Sequence, residues 1–149
     1  MENNNNDILT YPGSVVKALG GGKFNGYLVI FTDANSPDLQ GDYFQKSTDF
    51  YIENGEQRPV LYRHGAHPVI KSRKLGRAKL TVDDVGVFLE GELNLRDNYE
   101  KGIYSLMEQG KLGLSSGSMG HLVTKRQNGK SLEILTWPIG EASLTPNPV

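Results

Sequence analysis

The sequence predicts a mainly β (α+β) domain, with an antiparallel sheet closed or nearly closed into a barrel and two or more helices packed outside it. Three observations lead there. Six to eight short runs rich in β-branched and aromatic residues are separated by clusters of Gly, Pro, Asn and Asp, the punctuation of hairpins. Helical signals are confined to two capped segments and do not alternate with the strands as parallel βαβ units require. No internal repeat is present, and 149 residues suffice for one hydrophobic core but not for two comfortable ones.

Taken in order, residues 1–22 hold four consecutive asparagines and end on Gly20-Gly21-Gly22, so they are expected to be a flexible lead-in to a single domain over residues 23–149. Gly26–Thr32 has the continuous apolar character of a strand covered on both faces. Gly41–Phe44 suits a short edge strand, and Ser47-Thr48-Asp49 offers caps for a short helix through Glu53. Pro59–Arg63 forms a strand that delivers His64 into a loop. Leu75–Val82 and Val87–Leu93, joined by Asp83-Asp84-Val85-Gly86, make the clearest hairpin. Asp97 caps a second helix with Tyr99, Ile103, Leu106 and Met107 on one face and Gly110 beyond its end. The run from Leu112 leads to a strand-like His121–Thr124, an Asn128-Gly129 hairpin turn, Leu132–Trp137, and a last strand from Ile139 to Thr145.

Composition narrows the function. Sixteen basic and seventeen acidic residues leave a net charge of −1, which gives no general reason to expect nucleic acid as a partner. The local cluster of Lys71, Arg73, Lys74, Arg77 and Lys79 suits a solvated strand and loop face. The absence of cysteine excludes disulfides, thiol nucleophiles and cysteine-based zinc sites. No apolar run reaches the roughly 20 residues of a membrane span, so a soluble protein made in a cytoplasm is expected.

The residues with chemical potential gather in Gly113–His121, where three serines and three glycines occupy six of nine positions. Gly113-Leu114-Ser115-Ser116-Gly117 matches the G-x-S-x-G nucleophile elbow literally, but the elbow needs a strand-turn-helix context and an acid, then a histidine, downstream. A strand follows instead. Any other serine hydrolase needs a base within hydrogen-bond reach of its hydroxyl, and His64, His67 and His121 are the histidines available. Six extended residues separate Ser115 from His121 by about 20 Å, which removes His121. His64, directly ending a strand, is favoured over His67. Strand periodicity puts Leu112, Leu114, Ser116 and Ser118 on one face and Ser115, Gly117 and Met119 on the other, so that Ser115 faces substrate if the leucines face the core. A metal site built on His64-x-x-His67 is a weaker reading, because no H-E-x-x-H helix accompanies it. Neither a metal nor a cofactor is expected.

Four ordered blocks then carry a resemblance: Leu61–Gly65, the Tyr99–Gly110 helix, Leu112–Ser118 with His121–Val123, and Trp137–Pro148. Together they resemble the tailed-phage prohead (capsid maturation) serine proteases, a family similar to the herpesvirus assemblins. The resemblance implies a herpesvirus-protease-like fold and an endopeptidase that cuts scaffold segments from capsid proteins, and itself, inside the immature capsid in the host cytoplasm. Its partners would be the major capsid protein and scaffold segments, with self-association left open and no nucleic acid or membrane. By position the nucleophile falls on Ser115, with Ser116 as the alternative, the histidine on His64, and the third member on Glu141. Asp33, Asp42 and Asp49 are other acids available to His64, and the Gly117 and Ser118 backbone N–H groups are candidate oxyanion donors by proximity. The competing class is a non-catalytic virion structural or binding module with the same barrel, in which His64, Ser115 and Glu141 would lie apart.

Overall fold

In the computed structural model, which describes residues 7–38 and 41–146, the β-rich runs become eleven strands and the Asp97-capped segment one α-helix. The strands are β1 (Ile8–Val15), β2 (Lys17–Gly20), β3 (Lys23–Ile30), β4 (Asp42–Tyr43), β5 (Glu56–Tyr62), β6 (Gly76–Val82), β7 (Gly86–Leu93), β8 (Leu112–Met119), β9 (Thr124–Asn128), β10 (Ser131–Thr136) and β11 (Glu141–Pro146). Helix α1 (Asn98–Glu108) precedes β8. Eight strands form one curled sheet in the order β1-β8-β11-β5-β6-β7-β3-β2, and three form a second in the order β4-β10-β9. The pairs β11–β5 and β10–β4 are parallel; the other ladders are antiparallel.

The expected barrel does not close. The curled sheet is a half-barrel with β1 and β2 at its edges. Beside β3, the edge strand β1 shifts register between Pro12 and Val15, and a proline offers no N–H to a ladder. The gap is bridged by a side chain instead: Tyr27 N–H donates to Ser14 Oγ at 2.8 Å, and Gly13 lies so close to the Tyr27 and Leu28 carbonyls that a Cβ there would overlap them.

Three further expectations are corrected. Residues 8–20 are not a flexible lead-in, because β1 and β2 belong to the main sheet; residues 1–6 lie outside the described residues. The helix expected after Ser47 is a turn. The segment docks on β10 instead: Thr48 Oγ1 donates to Ile134 O at 2.7 Å and the Asp49 backbone N to Leu135 O at 2.9 Å. That leaves α1 as the sole α-helix among the described residues, short of the two or more expected. Finally, the strand-like His121–Thr124 begins in a 3-10 turn, Gly120–Leu122.

The core lies between the inner face of the half-barrel and the small sheet. Leu28, Val60, Leu80, Leu89, Leu114 and Leu144 are fully buried there. Trp137, which follows β10, joins the two layers by packing edge-to-face on Tyr11 of β1 (4.9 Å) and on Phe44 (5.5 Å). Helix α1 forms as its sequence requires. Asp97 accepts the Glu100 N–H at 3.0 Å, Ile103, Tyr104 and Met107 are buried, and Gly110 takes φ +74° past the C-terminus. The Tyr104 hydroxyl donates to Lys23 O and accepts from Gly20 N, fixing the helix to the β2–β3 edge. No helix among the described residues is long and apolar enough to cross a membrane.

Candidate active site

Register decides which side chains meet. Residues directly opposite each other on paired strands point to the same face of the sheet. Ser115 lies opposite Ser143 and Gly117 opposite Glu141 in β8–β11, while Leu61 of β5 lies opposite Ser143. Ser115, Ser143 and Glu141 therefore share the face turned away from the core, and the intervening Leu114, Ser116, Ala142 and Leu144 face inward.

His64 reaches that face through an unusual turn. Beyond β5 the chain takes left-handed backbone angles at three successive residues, Arg63 (φ +51°), His64 (φ +53°) and Gly65 (φ +84°). For a residue with a Cβ this conformation costs on the order of 1–3 kcal/mol, so the surroundings must hold it. They do so through Ser143, whose fully buried Oγ accepts the His64 backbone N–H at 2.8 Å. The imidazole then bridges the two strands: Nδ1 lies 2.5 Å from Glu141 Oε1 and Nε2 lies 2.8 Å from Ser115 Oγ. With Glu141 accepting from Nδ1–H, Nε2 is left as an acceptor directed at the Ser115 hydroxyl. Ser115 Oγ also lies 3.2 Å from the Tyr11 carbonyl, a second acceptor for the same proton.

The arrangement can withdraw a proton from Ser115 Oγ to Nε2 while a carboxylate holds the ring in one tautomer and stabilises its cationic form. Ser115 is on the predicted face but is nearly buried at 6% exposure, because the imidazole and β1 cover it. The alternative nucleophile is differently placed. Ser116 points into the core, where its Oγ accepts the Trp137 indole N–H at 3.0 Å. His67 is engaged elsewhere, its Nδ1 accepting from Val69 and Ile70 N–H and its ring packed against Tyr62 and Tyr99. His121 lies beyond the end of β8, exposed on its turn. The other acids pair locally: Asp42 with Lys125 at 2.9 Å, Asp33 with the Asn35 N–H and Asp49 with the Tyr51 N–H.

A family model described as caudovirus prohead serine protease matches residues 14–145. The chain belongs to that family. The protein is accordingly a serine peptidase, a hydrolase of peptide bonds, from bacteriophage capsid maturation. No curated protein and no solved structure matches the chain, so the likeness to herpesvirus assemblins goes no further than an expectation.

Two further residues shape this candidate site. From the sequence Ser143 received no role, although it stands two residues from Glu141 on a strand and must share its face. Gly117 lies opposite Glu141, and its C=O accepts from Gly140 N at 3.0 Å. Ser118 is paired with Leu9 of β1. What Gly117 contributes is space, since a Cβ there would overlap Glu141 Oε1.

Proposed function

We propose that this prohead protease removes scaffold segments from the major capsid protein, and cuts its own chain, with Ser115 as nucleophile, His64 as general base and acid, and Glu141 as the group that orients the imidazole. The observation that carries this reading is the unbroken chain of contacts from Glu141 Oε1 through both His64 ring nitrogens to Ser115 Oγ. Ser115 Oγ attacks the scissile carbonyl as its proton passes to His64 Nε2. The tetrahedral intermediate collapses as Nε2 returns that proton to the leaving amine, giving an acyl-enzyme. Water, deprotonated by the same nitrogen, then releases the new carboxyl terminus and restores the Ser115 hydroxyl.

The alternative of a non-catalytic virion module requires these three groups to lie apart, and their mutual hydrogen bonds speak against it. Co-expression with the capsid precursor from the same genome tests the assignment. Ser115→Ala is expected to leave the precursor at full length, and Ser116→Ala to retain shortening. Shortened capsid protein with both variants overturns the catalytic reading; loss of shortening with a folded Ser116→Ala alone moves the nucleophile by one residue.

A further inference from the structure

Beside the imidazole the sheet face opens into a cleft of about 290 Å³ whose lining includes His64 and Glu141. Its other walls are apolar, formed chiefly by Ile8, Leu61, Met119, Leu122, Pro138 and Ile139, while Gly117 and Gly140 contribute no side chain. Ile8, Met119 and Leu122 are 53%, 40% and 39% exposed, so three of the molecule's solvent-facing large apolar residues converge on this one depression. Ile8 and Met119 lie directly opposite each other in β1–β8 and thus present their side chains on the same face as Ser115. Apolar surface gathered around a concavity, in place of scattered single residues, marks a binding surface.

The charges at the cleft are either paired or enclosed. The Arg58 guanidinium donates to the Ile139 carbonyl at 2.7 Å and to the Tyr51 carbonyl at 3.3 Å, and it pairs with Glu56 at 2.5 Å. Glu141 gives Oε1 to His64, while its Oε2, which has no hydrogen-bond partner, is closed off from solvent and so from an entering side chain. A lysine or aspartate side chain entering here would lose hydration and gain no counter-charge, whereas an aliphatic or aromatic one would bury against matching walls. The volume sits at the lower end of the roughly 300–1,000 Å³ of ligand sites, enough for a side chain and too small for a folded partner.

Resting on the proposed function, we infer that this cleft is a specificity subsite on the His64 side of Ser115, and that it takes one large apolar side chain of the substrate polypeptide next to the scissile bond. A synthetic peptide library, incubated with the full chain and read by mass spectrometry for the residues flanking each cut, tests it. One fixed position near the cut is expected to be enriched in Leu, Ile, Met or Phe. Met119→Lys and Leu122→Lys are expected to reduce that enrichment at least about tenfold, toward acidic residues. If either lysine variant fails to melt cooperatively, Met119→Ser and Leu122→Ser carry the same expectation with a smaller change. Enrichment in charged residues at that position, or variants that keep the wild-type preference, overturns the inference. Labelling of wild-type Ser115 by a fluorophosphonate separates the two levels. A labelled enzyme without apolar preference overturns the cleft alone, whereas an enzyme that neither labels nor cuts overturns the proposed function and the cleft with it.

Discussion

Gly117 and Ser143 act on the two sides of one imidazole, and substituting them separates orientation by the carboxylate from orientation by the backbone. A methyl group at Gly117 occupies the position of Glu141 Oε1, so the carboxylate must swing away from His64 Nδ1. Gly117→Ala is therefore expected to lower kcat by about 10²–10⁴, the range that follows loss of an orienting carboxylate. It should also abolish the far-downfield proton NMR signal of the Nδ1–H held by Glu141. Ser143→Ala leaves that contact in place but removes the acceptor that holds His64 N–H in a left-handed turn. A loss of up to about 10² in kcat is expected, the scale of a misplacement of about 1 Å, with the downfield signal retained. Loss of the signal in Ser143→Ala but not in Gly117→Ala would reverse the two roles. The contrast also explains what the sequence revealed. Strand periodicity alone separates the faces of Ser115 and Ser116, and the strand end before His64 marks the histidine that meets Ser115, because both depend on local geometry. Glu141 came from the family resemblance. The contact of Ser143 with His64 depends on the β5–β11 pairing and the spatial role of Gly117 on the β8–β11 register; both link residues 24 or more positions apart and leave no local mark.

At the scale of elements, α1 carries the clearest dependence on pH. The backbone N–H of Glu100 and then the Arg73 guanidinium hold the Asp97 carboxyl below its ordinary value. Burial pushes Glu100 upward, but Arg96 and Arg73 outweigh it, so Glu100 is also lowered. A carboxylate lowered in the folded state adds stability that is fully present above its unfolded value, near pH 4, and is lost as the pH falls through the folded value. Arg73→Ala should let both carboxylates move back toward ordinary values. The Tm of the variant is then expected to fall below wild type at pH 7, and the gap to narrow steadily as the pH drops below about 4. A gap that stays constant or widens with acid would exclude this origin. This helix was legible because its cap, apolar face and terminal glycine lie within fourteen residues, whereas Thr48 offered a comparable cap and its hydroxyl docks on β10 instead. A capping residue states what it can accept; tertiary contacts decide whether a helix or a neighbouring strand supplies the donor or acceptor.

For the whole molecule, the mainly β class followed from punctuation and alternation, while closure did not, because closure depends on the last pairing between strands distant in sequence. The stretch before Gly22 was underestimated for a similar reason. Its polar start and glycine-rich end conceal β1, whose alternate residues divide between the core and the face that carries Ser115. Tyr11 buries its ring against Trp137 and Phe44 while its carbonyl meets Ser115 Oγ, and Ile8 lines the cleft. A chain beginning at Lys17 tests how far fold and site depend on this edge. Truncating one buried aromatic costs about 3–5 kcal/mol, and a typical domain has only about 5–15 kcal/mol in hand. Deletion of β1 removes Tyr11 and Val16 from the core together with the ladder to β8. The shortened chain is therefore expected to lose its cooperative thermal transition, or to melt far below the full chain, and to leave the capsid precursor uncut. A truncated protein that melts as the full chain does and still processes the precursor would show that β1 merely lies against a site complete without it.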